Sequence, residues 1–172
     1  INMAQPSPSA NFILKGDNVQ IMNTAQAKIY ASPNVKLSLL ERIITLDGDI
    51  IIPRAEIIIK EASPSAIKVS EDQIFINSGV PDKPSKKPFQ ISAKIKTKLG
   101  DKVNFSGFGL KGRLEGELVS TEQPGKSAQI NGEIKVIDGK YIAYGQTLSI
   151  ETGRLLFSGA PGINPEIDLK AT

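Results

Sequence analysis

The 172-residue chain has no cysteine, no histidine and no tryptophan, and aromatic residues make up only 5% of it. The first two absences remove thiol chemistry, disulfides, the usual zinc ligand sets and histidine general bases together, so neither a cofactor nor a metal is expected, and catalysis is not. The lack of disulfides does not by itself fix a compartment. Few aromatics count against gripping sugars or single-stranded nucleic acid, both of which rely on stacking platforms, and no nucleic-acid partner is expected. Long apolar runs are missing too: nothing approaches the ~18 residues of a spanning helix. Ile1 to Ala10 has neither the basic start nor the apolar core of a signal peptide, and the chain reads as an internal segment of a longer protein. Charge of one sign is also scarce, since 21 basic residues against 18 acidic ones leave a net +3 and a mixed surface. With 40% hydrophobic residues and a mean hydropathy of -0.12, the composition is that of a soluble chain of ordinary domain size.

What the chain does have is a period of two. Phe89, Ile91, Ala93, Ile95, Thr97 and Leu99 alternate with Gln90, Ser92, Lys94, Lys96 and Lys98. Successive strand side chains point to opposite faces, so this stretch predicts one apolar and one lysine-rich face. The pattern returns in Leu110, Gly112, Leu114, Gly116 and Leu118, and in Ala128, Ile130, Gly132, Ile134 and Val136. Leu148 with Ile150, Leu155 with Phe157, and Ile167 with Leu169 continue it.

Before that stretch, residues 1–11 read as a loose Pro/Ser/Asn-rich end, and short alternating pieces follow at Phe12 to Leu14, Val19 to Ile21 and Ala27 to Ala31. Val35 to Leu46 fits a helix face as well as two short strands; β-branched Ile43, Ile44 and Thr45 between strands favour the latter. Apolar parity switches at Pro53, from Ile50 and Ile52 to Ala55, Ile57 and Ile59, so Pro53 is expected at an edge, bulge or corner. Ala62 to Ala66 reads as a loop, Ile74 to Ile76 as a short strand, and 79–88 as a Pro/Lys-rich loop. Gly100-Asp101, Pro124-Gly125 and Asp138-Gly139 are expected to be hairpin turns, and Gly107-Phe108-Gly109 a glycine bulge. About ten strands and one all-β segment over 1–172 result.

The sharper motifs dissolve on inspection. Gly107 to Gly112 spells GxGxxG, but the residues after it alternate as a strand and offer no helix N-terminus for a pyrophosphate. Asn104-Phe-Ser106 is a sequon by spelling alone. Glu115 and Glu117 lie two apart on the wet face, where a solvated pair explains them better than acid/base work. The Lys94, Lys96 and Lys98 stripe suits phosphate headgroups or nucleic acid, but is better explained as keeping an exposed strand soluble and unpaired. The apolar file alternates aliphatic residues with Gly112, Gly116, Gly132, Ala143, Gly145, Gly153 and Gly159, which suggests a tightly bent sheet with a narrow lining. Two readings of that face stay open: an ordinary glycine-rich β core, or an open apolar surface suited to hydrocarbon chains.

Several runs resemble the C-terminal region of the TamB family of translocation and assembly module subunits. They are Asp47-Gly-Asp-Ile-Ile-Ile-Pro-Arg-Ala-Glu-Ile57, Val69-Ser-Glu-Asp72, and Gly100-Asp-Lys-Val-Asn-Phe-Ser-Gly107 continuing to Gly116. Tyr144-Gly-Gln-Thr-Leu-Ser-Ile150, Gly153-Arg-Leu-Leu-Phe-Ser-Gly159 and Asn164-Pro-Glu-Ile-Asp-Leu169 complete the set, which spans 35–171. The resemblance implies an all-β, curved open sheet folded into a half-pipe, a β-taco with an apolar concave groove. It implies a periplasmic location, in a protein anchored to the inner membrane by a helix outside this segment. Its implied partners are phospholipid acyl chains, the outer-membrane barrel TamA through parts beyond this segment, and unfolded outer-membrane proteins, autotransporters included. The family is also similar to eukaryotic bridge-like lipid transfer proteins. No catalytic residues carry over, and Pro53, Arg54 and Asp72 are expected to be structural.

On this reading the groove lining is Ile50, Ile52, Ile57, Ile59, Ile91, Ile95, Leu99, Phe105, Leu110, Leu114, Leu118, Ile130, Ile134, Leu148, Ile150, Leu155, Phe157, Ile167 and Leu169. Ten rungs would make a track of about 50 Å at ~4.8 Å per strand. The expected function is to hold or conduct phospholipid acyl chains towards the outer membrane. The alternative is chaperone-like holding of unfolded barrel strands; a filled β-solenoid spacer and a carbohydrate-active enzyme rank below both.

Overall fold

A computed structural model of the chain describes residues 9–59, 89–143, 145–160 and 164–172. Among the described residues nine strands form one sheet: β1 (Ser9–Lys15), β2 (Val19–Asn23), β3 (Ala27–Leu40), β4 (Ile43–Ile59), β5 (Gln90–Gly107), β6 (Leu110–Glu122), β7 (Gln129–Ala143), β8 (Gln146–Ser158) and β9 (Glu166–Ala171). The order is β1-β3-β4-β5-β6-β7-β8-β9, with β2 paired to β3 beside β1. All pairings are antiparallel except β4 with β5. The sheet is open and curved and does not close into a barrel: β1 and β2 form one edge and β9 the other. The expected all-β class holds. Residues 9–11, expected in a loose end, belong to β1. The loop at 62–66, the strand at 74–76, Asp72 and the 79–88 loop lie outside the described residues.

Local chemistry explains how the edge is divided. Pro33 sits inside β3 and its carbonyl accepts the Gly16 amide at 3.0 Å, so its missing N–H also faces the edge. A continuous partner strand would leave a gap there. Instead β1 pairs with residues 34–40 of β3 and β2 with Lys28 to Ala31, and the link between them crosses at the proline. Ser32 anchors that link, accepting the Asn18 amide at 2.8 Å and donating to Asp17 Oδ1 at 3.2 Å.

Val35 to Leu46 is strand, as the β-branched residues favoured, with Leu40 opposite Ile43 across a turn at Glu41 and Arg42. Pro53 marks a shift of register against both β3 and β5, which restores the apolar side chains to one face after the parity switch. Two expected hairpins are not turns. β5 runs through Gly100-Asp101 and β7 through Asp138-Gly139, with the register shifting at both places. Conversely, the expected bulge at Gly107-Phe108-Gly109 is the β5–β6 hairpin. Phe108 and Gly109 have φ of 53° and 78°, the consecutive positive values that twist-matched two-residue hairpins need. Pro124-Gly125 is a turn, closed by the Lys126 amide on the Gln123 carbonyl at 3.0 Å with Gly125 at φ 73°.

The register shifts fall at neighbouring heights in successive strands: Ile52/Arg54 in β4, Leu99/Asn104 in β5, Lys111/Arg113 against β7, and Ile150/Thr152 in β8. Bulges bend strands, so this row is where the sheet curves. The most buried apolar side chains, Ala31, Val35, Ala55 and Val103, gather around it. Among the described residues no other apolar side chain counts as buried.

Candidate functional site

Reading across the registers puts the apolar residues of successive strands on one face. Ile52 lies opposite Leu99, Leu99 opposite Gly116, Gly116 opposite Ile134, Ile134 opposite Leu155, and Leu155 opposite Ile167. Beyond the row of shifts, Ala55 meets Val103, Ile57 meets Phe105 and Phe105 meets Gly112. Leu110 meets Tyr141, which meets Leu148. All nineteen expected lining residues fall on this face. So do residues the expectation passed over: Ile29, Val35, Leu37 and Leu39 in β3, and Phe12 and Leu14 in β1. Their signal was present as an unbroken odd-numbered alternation from Ala27 to Leu39.

Among the described residues every strand belongs to this one sheet, and every substantial contact between strands joins sheet neighbours. Most residues of the apolar face are half-buried, and those near the edges are open: Phe12 is 63% exposed and Ile167 66%. Glycines set how closely the strands approach. Gly116 and Gly132 flank the Glu117–Glu133 pair diagonally, with φ of 149° and 132°. A Cβ on either would lie 2.1 Å from the carbonyl oxygen of Glu133 or Glu117. Gly139 and Gly153 face Val136 and Ile150 within 3.2 Å of an ideal Cβ, which draws β7 and β8 together at the bend. Gly145 and Gly159, expected among the lining, instead take turn-type φ values of 76°.

The opposite face is ionic. Lys96 Nζ meets Glu117 at 2.9 Å, and that hydrogen bond and charge hold the lysine above its usual pKa. Arg154 reaches Asp168 at 2.7 Å and Glu133 at 3.8 Å, and Asp168 holds its guanidinium above the ordinary range. Glu133 also takes Lys135 at 3.5 Å, and Glu115 pairs with Arg113. Glu115 and Glu117 are therefore each matched to a base, as a solvated surface predicts. Such exposed pairs contribute little each to stability. Arg54 stacks on Tyr30, 3.7 Å from the ring centre. After the turn at Gly107-Phe108-Gly109 comes β6 and no helix, so the GxGxxG spelling has no phosphate cradle. Among the described residues no group of His, Cys, Asp and Glu is placed to hold a metal, and no helix is long and apolar enough to cross a membrane.

A family model described as the TamB C-terminal domain matches residues 1–172. The chain is 28% identical over 167 residues to the translocation and assembly module subunit TamB of Haemophilus influenzae, covering 91% of this chain and 13% of that relative. It thus spans about an eighth of the curated relative it matches.

Proposed function

Because this chain belongs to the TamB C-terminal domain family, we propose that it is a periplasmic stretch of an inner-to-outer membrane bridge. In this reading the curved sheet is a half-pipe, a β-taco, whose apolar concave side holds or conducts phospholipid acyl chains. The observation that carries it is the apolar face that runs from β1 to β9, with no second sheet against it among the described residues. Eight strand positions at ~4.8 Å give a track of about 38 Å, shorter than ten rungs would give and still beyond the ~30 Å hydrocarbon thickness of a bilayer. The mechanism is passive: branched aliphatic side chains replace water around the tails while headgroups stay outside. Direction comes from other parts of the protein and from its partner in the assembly module, TamA.

A charge on the track acts as a plug, since desolvating it costs several kcal/mol. Leu114→Arg or Ile150→Arg in the full-length protein, with secondary structure intact, is expected to stop phospholipid transfer between membranes. Transfer at the unmodified rate would overturn the track.

The edge positions of β1 and β9, which pair with no further strand among the described residues, favour one second reading, chaperone-like holding of unfolded outer-membrane β-strands by strand addition. Photocrosslinking from Phe105 separates the two: lipid adducts support the track, peptide adducts the chaperone.

A further inference from the structure

On the ionic face several bases sit beside acids: Lys96 with Glu117, Lys135 with Glu133, Arg154 with Asp168, Lys170 with Glu151 and, past the row of register shifts, Arg113 with Glu115. Across the row, in β3 to β5, Arg54 stands directly opposite Lys102. Like charges in register repel unless something lies between them. Lys28 is in the next row, opposite Glu56, and among the described residues none of these three bases makes an ion pair within 4.0 Å.

The three line one shallow depression together with Tyr30, Glu56 and Asn104. Tyr30 is the cross-strand partner of Arg54, and its ring carries the guanidinium at 3.7 Å. Stacking holds a planar, five-donor fork in one orientation, which is what bidentate recognition of an oxyanion needs. The Tyr30 hydroxyl and the Asn104 amide supply neutral donors at the rim. With Glu56 as its one carboxylate, the depression carries three positive charges against one negative, a balance that suits a dianion.

We propose that this depression binds a phosphate-type oxyanion, with Arg54 as the fixed fork and Lys102 and Lys28 as the point charges. The site lies on the opposite side of the sheet from the apolar track and does not rest on lipid conduction: a lipid with its tails on the track cannot place its headgroup here. The phosphate can be free in solution or belong to a membrane surface met by the outer face.

The test is to titrate the folded protein with inorganic phosphate at constant ionic strength, following the backbone amide signals of Tyr30, Arg54 and Asn104 by NMR. A saturable shift confined to β3–β5 is expected, weakened at least about tenfold by Arg54→Gln and by Lys102→Gln, and unaltered by Lys36→Gln. Lys102→Gln leaves the Tyr30–Arg54 stack in place, so the test survives if Arg54→Gln fails to fold. Binding of inorganic phosphate alone supports a free-anion site. Additional capture on phosphatidylglycerol vesicles but not phosphatidylcholine ones, weakened by the same variants, supports a headgroup phosphate. No saturable shift, or equal affinity in wild type and both variants, overturns the proposal.

Discussion

Gly116 and Gly132 let β6 and β7 approach closely. Each adopts a positive φ that a side chain resists, and each lies where a Cβ would enter the van der Waals shell of a carbonyl on the neighbouring strand. Gly125 also has a positive φ, but with nothing within 4 Å. Gly116→Ala and Gly132→Ala are therefore expected to lower unfolding free energy by about 3 kcal/mol each, and Gly125→Ala by about 1 kcal/mol. Urea denaturation followed by circular dichroism measures both. A Gly116→Ala cost no larger than that of Gly125→Ala would mean that β6 and β7 do not approach as closely as described. The glycine spacing was visible in the sequence, but its cause was not: alternation shows which residues share a face, while the carbonyl that excludes a methyl group comes from a strand elsewhere in the chain.

At the scale of elements, the turns were the least legible feature. Asp138-Gly139 has the residues of a tight hairpin, and Asp138 does take a positive φ of 53°, yet β7 continues through it. The same left-handed residue serves a bulge as readily as a turn, and only pairing decides between them. The clue lay in parity. Apolar positions change from even at Val136 to odd at Tyr141, which a bulge within one strand explains, as Pro53 does in β4. The real hairpin hides behind a phenylalanine. Phe108 holds a φ of 53° while 62% exposed, a conformation that asparagine and glycine occupy at lower cost. Phe108→Asn is expected to stabilise the protein by about 1 kcal/mol, seen as a higher urea midpoint with an unchanged slope. A lower midpoint would show that the Phe108 ring makes contacts worth more than its strained backbone.

The described residues of the molecule form a single sheet; periodicity together with the missing helices made the all-β class legible, while the open sheet came from the family resemblance. The parallel pairing of β4 and β5 was not legible, because no local residue pattern separates it from an antiparallel one. One sheet with two edges open among the described residues has a physical consequence. β1 exposes Phe12, Ile13 and Leu14 on both sides with Lys15 as its one charge, and β9 exposes Ile167 and Leu169 between Glu166, Asp168 and Lys170. The isolated domain is expected to self-associate with rising concentration in analytical ultracentrifugation. Ile13→Lys combined with Ile167→Lys should shift it towards monomer; an unchanged distribution would place the contact on the sheet faces.

The placement of the first and last strands at opposite borders has a further implication. Extra planks laid before β1 or after β9 would lengthen such a walkway without folding back over its oily side, much as a boardwalk grows from its ends. Its reach can thus change by adding sequence, while every existing plank keeps its neighbours and its chemistry.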